Sequence, residues 1–535
     1  MAVGVRLASG AWLLASGQPL LARAAAEGWG EAPGQCQLAV APARDEDHWP
    51  HARGRVGRYG ASPHRGPRNL SRAHSWSWQH PRGRYGTVVF GGPLIDAELS
   101  IYLSTEDGVR KFARNGTELW WYKPAGPMTS CPSLLDGVLF GSTVNGFVFC
   151  VDMQSGSERW SVQIADRIGN DLSYVGAYSN VVVVASRPPP NPEYFGGGNE
   201  LVSGLNATDG GQLWEFVPGA PVWNFMGLFP GDHTLVFQDQ DSGVYRLRLH
   251  DGTLIWRAGR SGGGTWTDGG AILGPNDIVY AVSASGPMGK KSHTFSGGLH
   301  AYQLSDGRLL WQRVLPRPVY TWAAVGELRP GAGLSVVAGC GANPGPPVQL
   351  VAAVGAAAGA ALGFALGLVM GFLRGLCIGP WGCCCCRCCC RSASKGAHRA
   401  LLGALTGSMF AVTVYLLVMP SWRNEVWAFD AQTGEVQWSV ELPPWRWPSA
   451  AGDEAGFLPR LFHGARSMYM PGSLSSPTID SVGTVYIGHL SGRLYALRDA
   501  DGDGRVQGSE ELTAFETGSC FFHPGASLAP GVLAI

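Results

Sequence analysis

Charge is scarce in this 535-residue chain: 15% of its residues are Asp, Glu, Lys or Arg, and 40 basic side chains balance 40 acidic ones. A chain with no net charge has no basic surface to offer a polyanion, so nucleic acid is not expected among its partners. Acidic residues are missing altogether from 374–399, and the stretches 351–372 and 401–419 carry no charged side chain. No catalytic constellation stands out either. Asp239, Asp241, His233 and His300 lie near turn signals at no spacing that singles out a general base.

What the chain has in abundance is glycine and tryptophan, with 77 and 20 copies. They are paired. A Trp follows a Gly by four residues at Gly116/Trp120, Gly156/Trp160, Gly210/Trp214, Gly252/Trp256, Gly307/Trp311 and Gly434/Trp438, and successive Trp are 40, 54, 42, 55 and 127 residues apart. Periods of this size signal a ring or stack in which each unit is one small antiparallel sheet. Written over one another, residues 130–152 and 474–499 show the unit: an apolar strand (138–140; 485–487), an Asn-Gly or Ser-Gly turn, a second strand (147–151; 493–497) and a closing Asp. Alternating strands joined by such turns are hairpins. The Asp-x-x-x-Gly-x-x-x-Trp stretch then makes a tight turn into an outer strand, its Trp packing between neighbouring sheets.

The clearest copy, Val426-Trp427-Ala428-Phe429-Asp430-Ala431-Gln432-Thr433-Gly434-Glu435-Val436-Gln437-Trp438, resembles the unit of the pyrroloquinoline-quinone-type repeat propellers. The resemblance covers 76–345 and 421–535 and implies an all-β fold, a propeller of seven blades or eight, with Trp76 and Trp78 available to close the ring. It specifies a chemistry poorly, because the same propeller serves dehydrogenases, assembly lipoproteins and lumenal sensors. A quinone-dependent dehydrogenase of this class would have a central calcium–quinone site, an Asp base and often adjacent cysteines. Here the adjacent cysteines all fall outside the propeller, which argues against a quinone cofactor.

The 127-residue interval holds an insertion, 348–420, flanked by Pro344, Pro346, Pro347 and Pro420. Its two uncharged runs are long enough to cross the roughly 30 Å hydrocarbon layer as helices. Gly355, Gly359, Gly363, Gly367 and Gly371 form a four-residue stripe on the first, and Gly403 and Gly407 lie on the second. Small residues let two helices approach closely in lipid, so the stripe serves either the other span or another copy of the protein. The loop 374–400 carries Arg374, Arg387, Arg391, Lys395 and Arg399 without an acid, which assigns it to the cytoplasm and both propeller parts to the lumen or the exterior. Cys383, Cys384, Cys385, Cys386, Cys388, Cys389 and Cys390 beside those basic residues resemble acylation targets. A soft-metal site favours spaced pairs instead.

At the amino end, 1–26 reads as a cleaved signal peptide, with an uncleaved anchor or a transit peptide as the alternatives, and 27–75 as a flexible lead segment rich in Arg, Gly and Pro. Asn69, Asn115 and Asn206 head glycosylation sequons. Among the scattered cysteines, Cys131 and Cys150 are the nearest pair for a disulfide.

The sharpest chemical signal is 499–510, Asp-Ala-Asp-Gly-Asp-Gly-Arg-Val-Gln-Gly-Ser-Glu, which resembles an EF-hand calcium loop. Asp499, Asp501 and Asp503 take the first, third and fifth positions, Gly504 the bend, Arg505 the backbone-carbonyl position and Glu510 the bidentate twelfth. Propeller strand precedes the loop where a helix is usual. One calcium ion in a single, structural site is therefore expected. The whole reads as a multi-pass membrane protein with two spans, whose calcium-fixed propeller binds a protein, peptide or glycan without catalysis, the quinone-dependent dehydrogenase being the rival.

Overall fold

The computed structural model describes residues 49–535 apart from short stretches, of which 189–197, 260–266, 286–295 and 377–385 are the longest, together with Val5–Arg6. The rest of the signal segment, and Cys383, Cys384 and Cys385, lie outside the described residues. The chain divides into two compact units, one of 1–342, 423–443 and 471–535 and one of 343–422 and 444–470.

The first unit is a seven-bladed β-propeller. Blade I runs Leu94–Ile95, Ile101–Thr105, Gly108–Phe112 and Glu118–Tyr122. Blade II follows over Ser133–Leu135, Val138–Ser142, Phe147–Asp152 and Glu158–Gln163, and blade III over Gly176–Tyr178, Val181–Ser186, Leu201–Asn206 and Gln212–Phe216. Blade IV has Thr234–Gln238, Gly243–Arg248 and Leu254–Gly259, with a bridge from Leu228 to Val236 in the inner place. Blade V comprises Ala271–Leu273, Ile278–Ser285, Ser296–Gln303 and Leu309–Leu315. Blade VI comprises Ala324–Glu327, Leu334–Gly341, Trp422–Asp430 and Val436–Trp445. Blade VII comprises Thr478–Ile479, Val485–Gly488, Arg493–Leu497 and Leu512–Glu516. All neighbours within a blade are antiparallel, and the middle strands are buried on both faces because each sheet is covered by two others.

The Gly–Trp spacing is the lock between blades. Trp120 of blade I packs on Gly156 of blade II, Trp160 on Gly210, Trp214 on Gly252, Trp256 on Gly307 and Trp311 on Gly434. Each indole Nε1 also donates to the carbonyl three residues before that glycine: Met153, Ala207, Leu249, Leu304 and Ala431, at 2.6–3.1 Å. Glycine is required twice over. At Gly434 φ is +70°, and a Cβ there would stand 2.7 Å from the Trp311 ring. Trp76 performs the same office for blade I, its Nε1 on Arg114 O and its ring against Gly116. The carboxy-terminal hairpin Ser527–Ala529/Val532–Ala534 joins blades VII and I through Thr478 Oγ1 to Ala526 O and Ser527 Oγ to Pro93 O.

Part of the lead segment departs from the expected flexibility. Trp49, His51 and Arg53 are at most 3% exposed, because 49–62 satisfy backbone groups that the inner strands leave open towards the axis. Trp49 pairs both ways with Ile95 of blade I, Leu134 N of blade II donates to Pro50 O, Val325 N of blade VI to Tyr59 O, and Ser62 N to Ile479 O of blade VII.

In the second unit, α1 (Val348–Leu376) and α2 (Cys386–Val418) form an antiparallel pair. The insertion enters between the second and third strands of blade VI, which still pair in register from Ser335↔Asp430 to Gly341↔Asn424. The glycine stripe is used inside the chain. A Cβ at Gly359 would stand 2.0 Å from Gly403 O, and one at Gly407 2.3 Å from Gly355 O, so backbone meets backbone. Both helices are long and apolar enough to cross a membrane over 348–367 and 398–418, and the protein covers almost none of their outer surface. A third helix, α3 (Asp453–Phe462), completes the unit.

Candidate metal centre

Where the other six blades turn from third to fourth strand through the Gly that receives a Trp, blade VII makes a longer loop between Leu497 and Leu512. Short carboxylate-to-backbone bonds hold it. Asp499 Oδ1 accepts from Gly502 N at 2.8 Å and its Oδ2 from Gly504 N at 3.3 Å, while Asp501 Oδ1 accepts from Asp503 N at 3.1 Å and Asp503 Oδ1 from Arg505 N at 2.8 Å. Gly502, Gly504 and Gly508 all have positive φ, from +73° to +83°, where other residues would be strained.

Three carboxylates converge: Asp499, Asp501 and Glu511 place oxygens within 4.8 Å of one another. Glu511 is a residue that the sequence pattern did not single out. Its Oε1 accepts from Ala500 N at 2.6 Å and its Oε2 from Gln507 N at 3.0 Å, and these backbone N–H groups hold its carboxyl below the usual carboxylate range. Glu510, expected at the twelfth position, turns outward, with Oε2 3.5 Å from Arg68 Nη2 in an exposed pair. Asp503 is not among the three converging carboxylates, and Arg505 contributes its backbone N–H to Asp503. The Glu510-Glu511 doublet is the one sequence signal that could have raised the alternative.

A cation already faces the cluster. Arg329 of blade VI donates through Nη2 to Asp499 Oδ2 at 2.7 Å, and the Asp499 side chain is 4% exposed. Arg329, Ser335, Gln437, Trp438, Asp499 and Gly502 line a cavity of about 370 Å³ beside it. Trp438, the locking residue of blade VI, thus meets an acidic loop and a cavity instead of a tight glycine turn. Three hard oxygen donors, one of them already paired with Arg329, have the donor chemistry of a divalent cation of the calcium type.

The propeller axis is filled at the level of Arg53. Its guanidinium donates to Ala323 O at 2.9 Å and Pro477 O at 2.5 Å, and burial pushes its pKa down to about 9. Tyr174 and Trp322, which precede the inner strands of blades III and VI, meet edge-on across the axis with ring centres 5.1 Å apart, both fully buried. The acids and histidines weighed as bases do not join them. Burial pushes Asp239 up to about 6, yet it caps its own turn, accepting from Gly243 N at 2.7 Å and Tyr245 Oη at 2.7 Å. The same Asp-to-Tyr brace recurs at Asp96/Tyr102 and Asp480/Tyr486, so it is a structural device of the blade. His233 sits at the other end of that strand against Ser179 Oγ, and His300 stacks on Tyr302.

The remaining expected sites are dispersed. Asn69 and Asn115 are exposed and Asn206 is half-buried, and each side-chain oxygen accepts a bond from the residue two places on: Ser71 Oγ, Thr117 N and Thr208 N. Cys386, Cys388, Cys389 and Cys390 belong to α2. The pairing of Cys131 with Cys150 is corrected: the Cys131 thiol lies 3.8 Å from Gly92 O, and Cys150 is in a disulfide that does not involve Cys131. Cys131 lies between the innermost strands, and Cys150 two strands further out in blade II, so proximity in sequence did not become proximity of sulfurs.

Comparison with known proteins agrees with this architecture. Residues 105–228 and 173–327 match the repeat family described as outer membrane protein assembly factor BamB. A tetrathionate hydrolase from Acidithiobacillus ferrooxidans is 23% identical over 237 residues, a match that spans 41% of this chain and 41% of that one. Among solved structures, a quinohemoprotein alcohol dehydrogenase from Pseudomonas putida aligns over 94% of this chain and 79% of its own with a TM-score of 0.52 and 12% identity. BamB from Moraxella catarrhalis aligns over 84% and 96% with a TM-score of 0.46 and 14% identity. With the repeat, the Gly–Trp locks and the ring all in place, the chain is a seven-bladed β-propeller, and its residues 105–327 are similar to the pyrroloquinoline-quinone-type repeat.

Proposed function

We propose that the protein is a membrane-anchored, calcium-binding propeller that acts as a non-enzymatic binding or scaffold module. The observation that carries the non-enzymatic part is the axis. Arg53, Tyr174 and Trp322 fill the middle of the ring with the chain's own side chains, which supports this reading because the resemblance implies a central quinone in the enzymes. Protein is the favoured partner class, since the matched repeat family is named for an assembly factor. α1 and α2 anchor the propeller, and the basic loop 374–400 faces the cytoplasm, in keeping with the positive-inside rule. The Cys150 disulfide suits an oxidising lumen or exterior for the propeller.

Asp499, Asp501 and Glu511 would hold the calcium ion, with the Arg505 carbonyl within the same loop. When bound, the ion supplies charge neutralisation and no reaction step. Arg329 does that service in its absence, and its long side chain can swing towards solvent when the stronger charge arrives. The seam between blades VI and VII then depends on an ion where the others depend on an indole.

Two experiments test the reading. On sealed membranes, a tag at Ser392 is expected to be cut by protease only from the cytoplasmic side and a carboxy-terminal tag only from the other; lumenal cleavage at Ser392 overturns the topology. Purified protein supplied with quinone and calcium is expected to show background dye-linked alcohol oxidation. Turnover above that level restores the dehydrogenase reading.

A further inference from the structure

Helix α3 is built inside out. Along Asp453–Phe462 the face turned into its own unit carries Asp453, Gly456, Phe457 and Arg460, and the two charged side chains are fully buried. Arg460 Nη2 donates to Asp453 Oδ1 at 2.7 Å and to Ser467 O at 3.1 Å, so the buried ion pair is matched by hydrogen bonds. On the opposite side, beyond Glu454 of the first turn, the helix is apolar and exposed. Leu458 is 46% exposed, Leu461 53% and Phe462 81%, and their spacing of three and four residues puts them on one side of the helix. Trp447, 45% exposed, stands on the segment that leads into it. In water this arrangement is the reverse of what an amphipathic surface helix adopts.

The fastening of α3 says what should cover that face. Glu454 on its first turn accepts from Val348 N at 2.9 Å, and Gln349 Nε2 donates to Glu454 O at 2.9 Å. Val348 is the first residue of α1 and the first residue of its 20-residue apolar span. The carboxylate thereby caps the positive end of α1 and fixes α3 at the depth where the span begins. Trp447 Nε1 at 3.2 Å and Ser449 Oγ at 2.8 Å bind the same carboxylate. Near the other span's end, Tyr415 Oη donates to Pro346 O at 2.7 Å, and Trp422 Nε1 to Trp447 O at 3.0 Å. Trp and Tyr gathered at the end of an apolar helix pair are what a membrane–water boundary favours.

We propose that α3 is an interfacial helix, with its Leu458–Leu461–Phe462 face lying in the headgroup–acyl boundary of the bilayer that α1 and α2 cross. The proposal rests on the membrane reading above. It gives the hairpin a third point of attachment and fixes the tilt of the pair, which two apolar helices alone leave to their neighbours and anchors. It also accounts for a helix that hides charge and shows leucine and phenylalanine.

The test uses the full chain reconstituted in lipid vesicles, with a photoreactive diazirine amino acid placed singly at Phe462, at Leu405 in the middle of α2, or at Val217, an exposed apolar position in the propeller. Lipid attached to the protein after illumination is measured by mass. Labelling at Phe462 and Leu405 is expected to exceed that at Val217 by about tenfold, as for residues held in the acyl boundary and the acyl core. Strong labelling at Leu405 with Phe462 no higher than Val217 overturns the interfacial helix and leaves the membrane hairpin standing. If Leu405 also stays at the Val217 level, the spans themselves are overturned and the proposal falls with them.

Discussion

Two seams of this ring are built on different chemistry. Between blades V and VI, Trp311 closes on Gly434 with an indole-to-carbonyl bond and no room for a methyl group. Between blades VI and VII, Trp438 faces Gly502–Gly504, a cavity and three carboxylates countered by Arg329. The inner end of that second seam is polar too, where His489 Nε2 of blade VII meets Asn424 Nδ2 of blade VI at 2.7 Å. An apolar lock works at any pH and any ion concentration. On the proposed reading the polar seam makes blade cohesion conditional on a cation at the carboxylates and a neutral imidazole at His489.

The contrast can be broken most forcefully at the apolar lock. Gly434→Ala forces a left-handed alanine into the Trp311 ring and is expected to cost about 2–4 kcal/mol in denaturant unfolding, from the backbone penalty and the overpacking together. Gly504→Ala has a similar φ of +80° but meets only Gln437 O at 3.3 Å, so its expected cost is the smaller backbone share, about 1–2 kcal/mol. Equal costs would mean the seams are not different in kind.

Acid should act on the polar seam. Burial, then Arg493, push the His489 imidazole down from 6.5 to about 4. Its folded pKa lies below its unfolded one, so the unfolded chain binds the proton first. This contribution is intact above pH 6.5 and is lost as pH falls towards 4, by roughly 3 kcal/mol in full. His489→Gln should flatten the stability profile within that window, and a profile unchanged by the substitution would remove His489 from the account.

Calcium should act at the outer end. At a hundredfold excess over its dissociation constant the ion is expected to stabilise the wild type by about 2.7 kcal/mol, and the Asp499→Ala, Glu511→Ala variant not at all. The smallest effect is the most diagnostic: Arg329→Gln removes the competing cation, so calcium should bind more tightly by a few-fold while the ion-free protein melts earlier. Weaker binding in that variant would make Arg329 part of the site's support instead of its rival.

The ring was legible because a Gly–Trp lock is a local pattern, repeated six times at fixed spacing, whose geometry needs those two residues. The insertion was legible for the same reason, since uncharged runs and a glycine stripe are properties of short segments. What could not be read depends on closure. Arg53 sits in a stretch of Arg, Gly and Pro that has the composition of a loop, and only the assembled ring turns it into a buried residue at the ring's middle. Glu510 and Glu511 are neighbours in sequence, and only the folded loop shows that Glu511 is the one turned towards Asp499 and Asp501. α3 carries its charges on the buried side, so a search for amphipathic helices with apolar interiors reads its faces backwards.

The most direct test of the account is a calorimetric calcium titration of the full-length protein in lipid nanodiscs. One site with a matching rise in melting temperature, both abolished in the Asp499→Ala, Glu511→Ala variant, is the predicted result. Calcium heat and stabilisation that persist in the variant would place the ion elsewhere, and their absence from the wild type would leave the blade VI–VII seam to Arg329 alone.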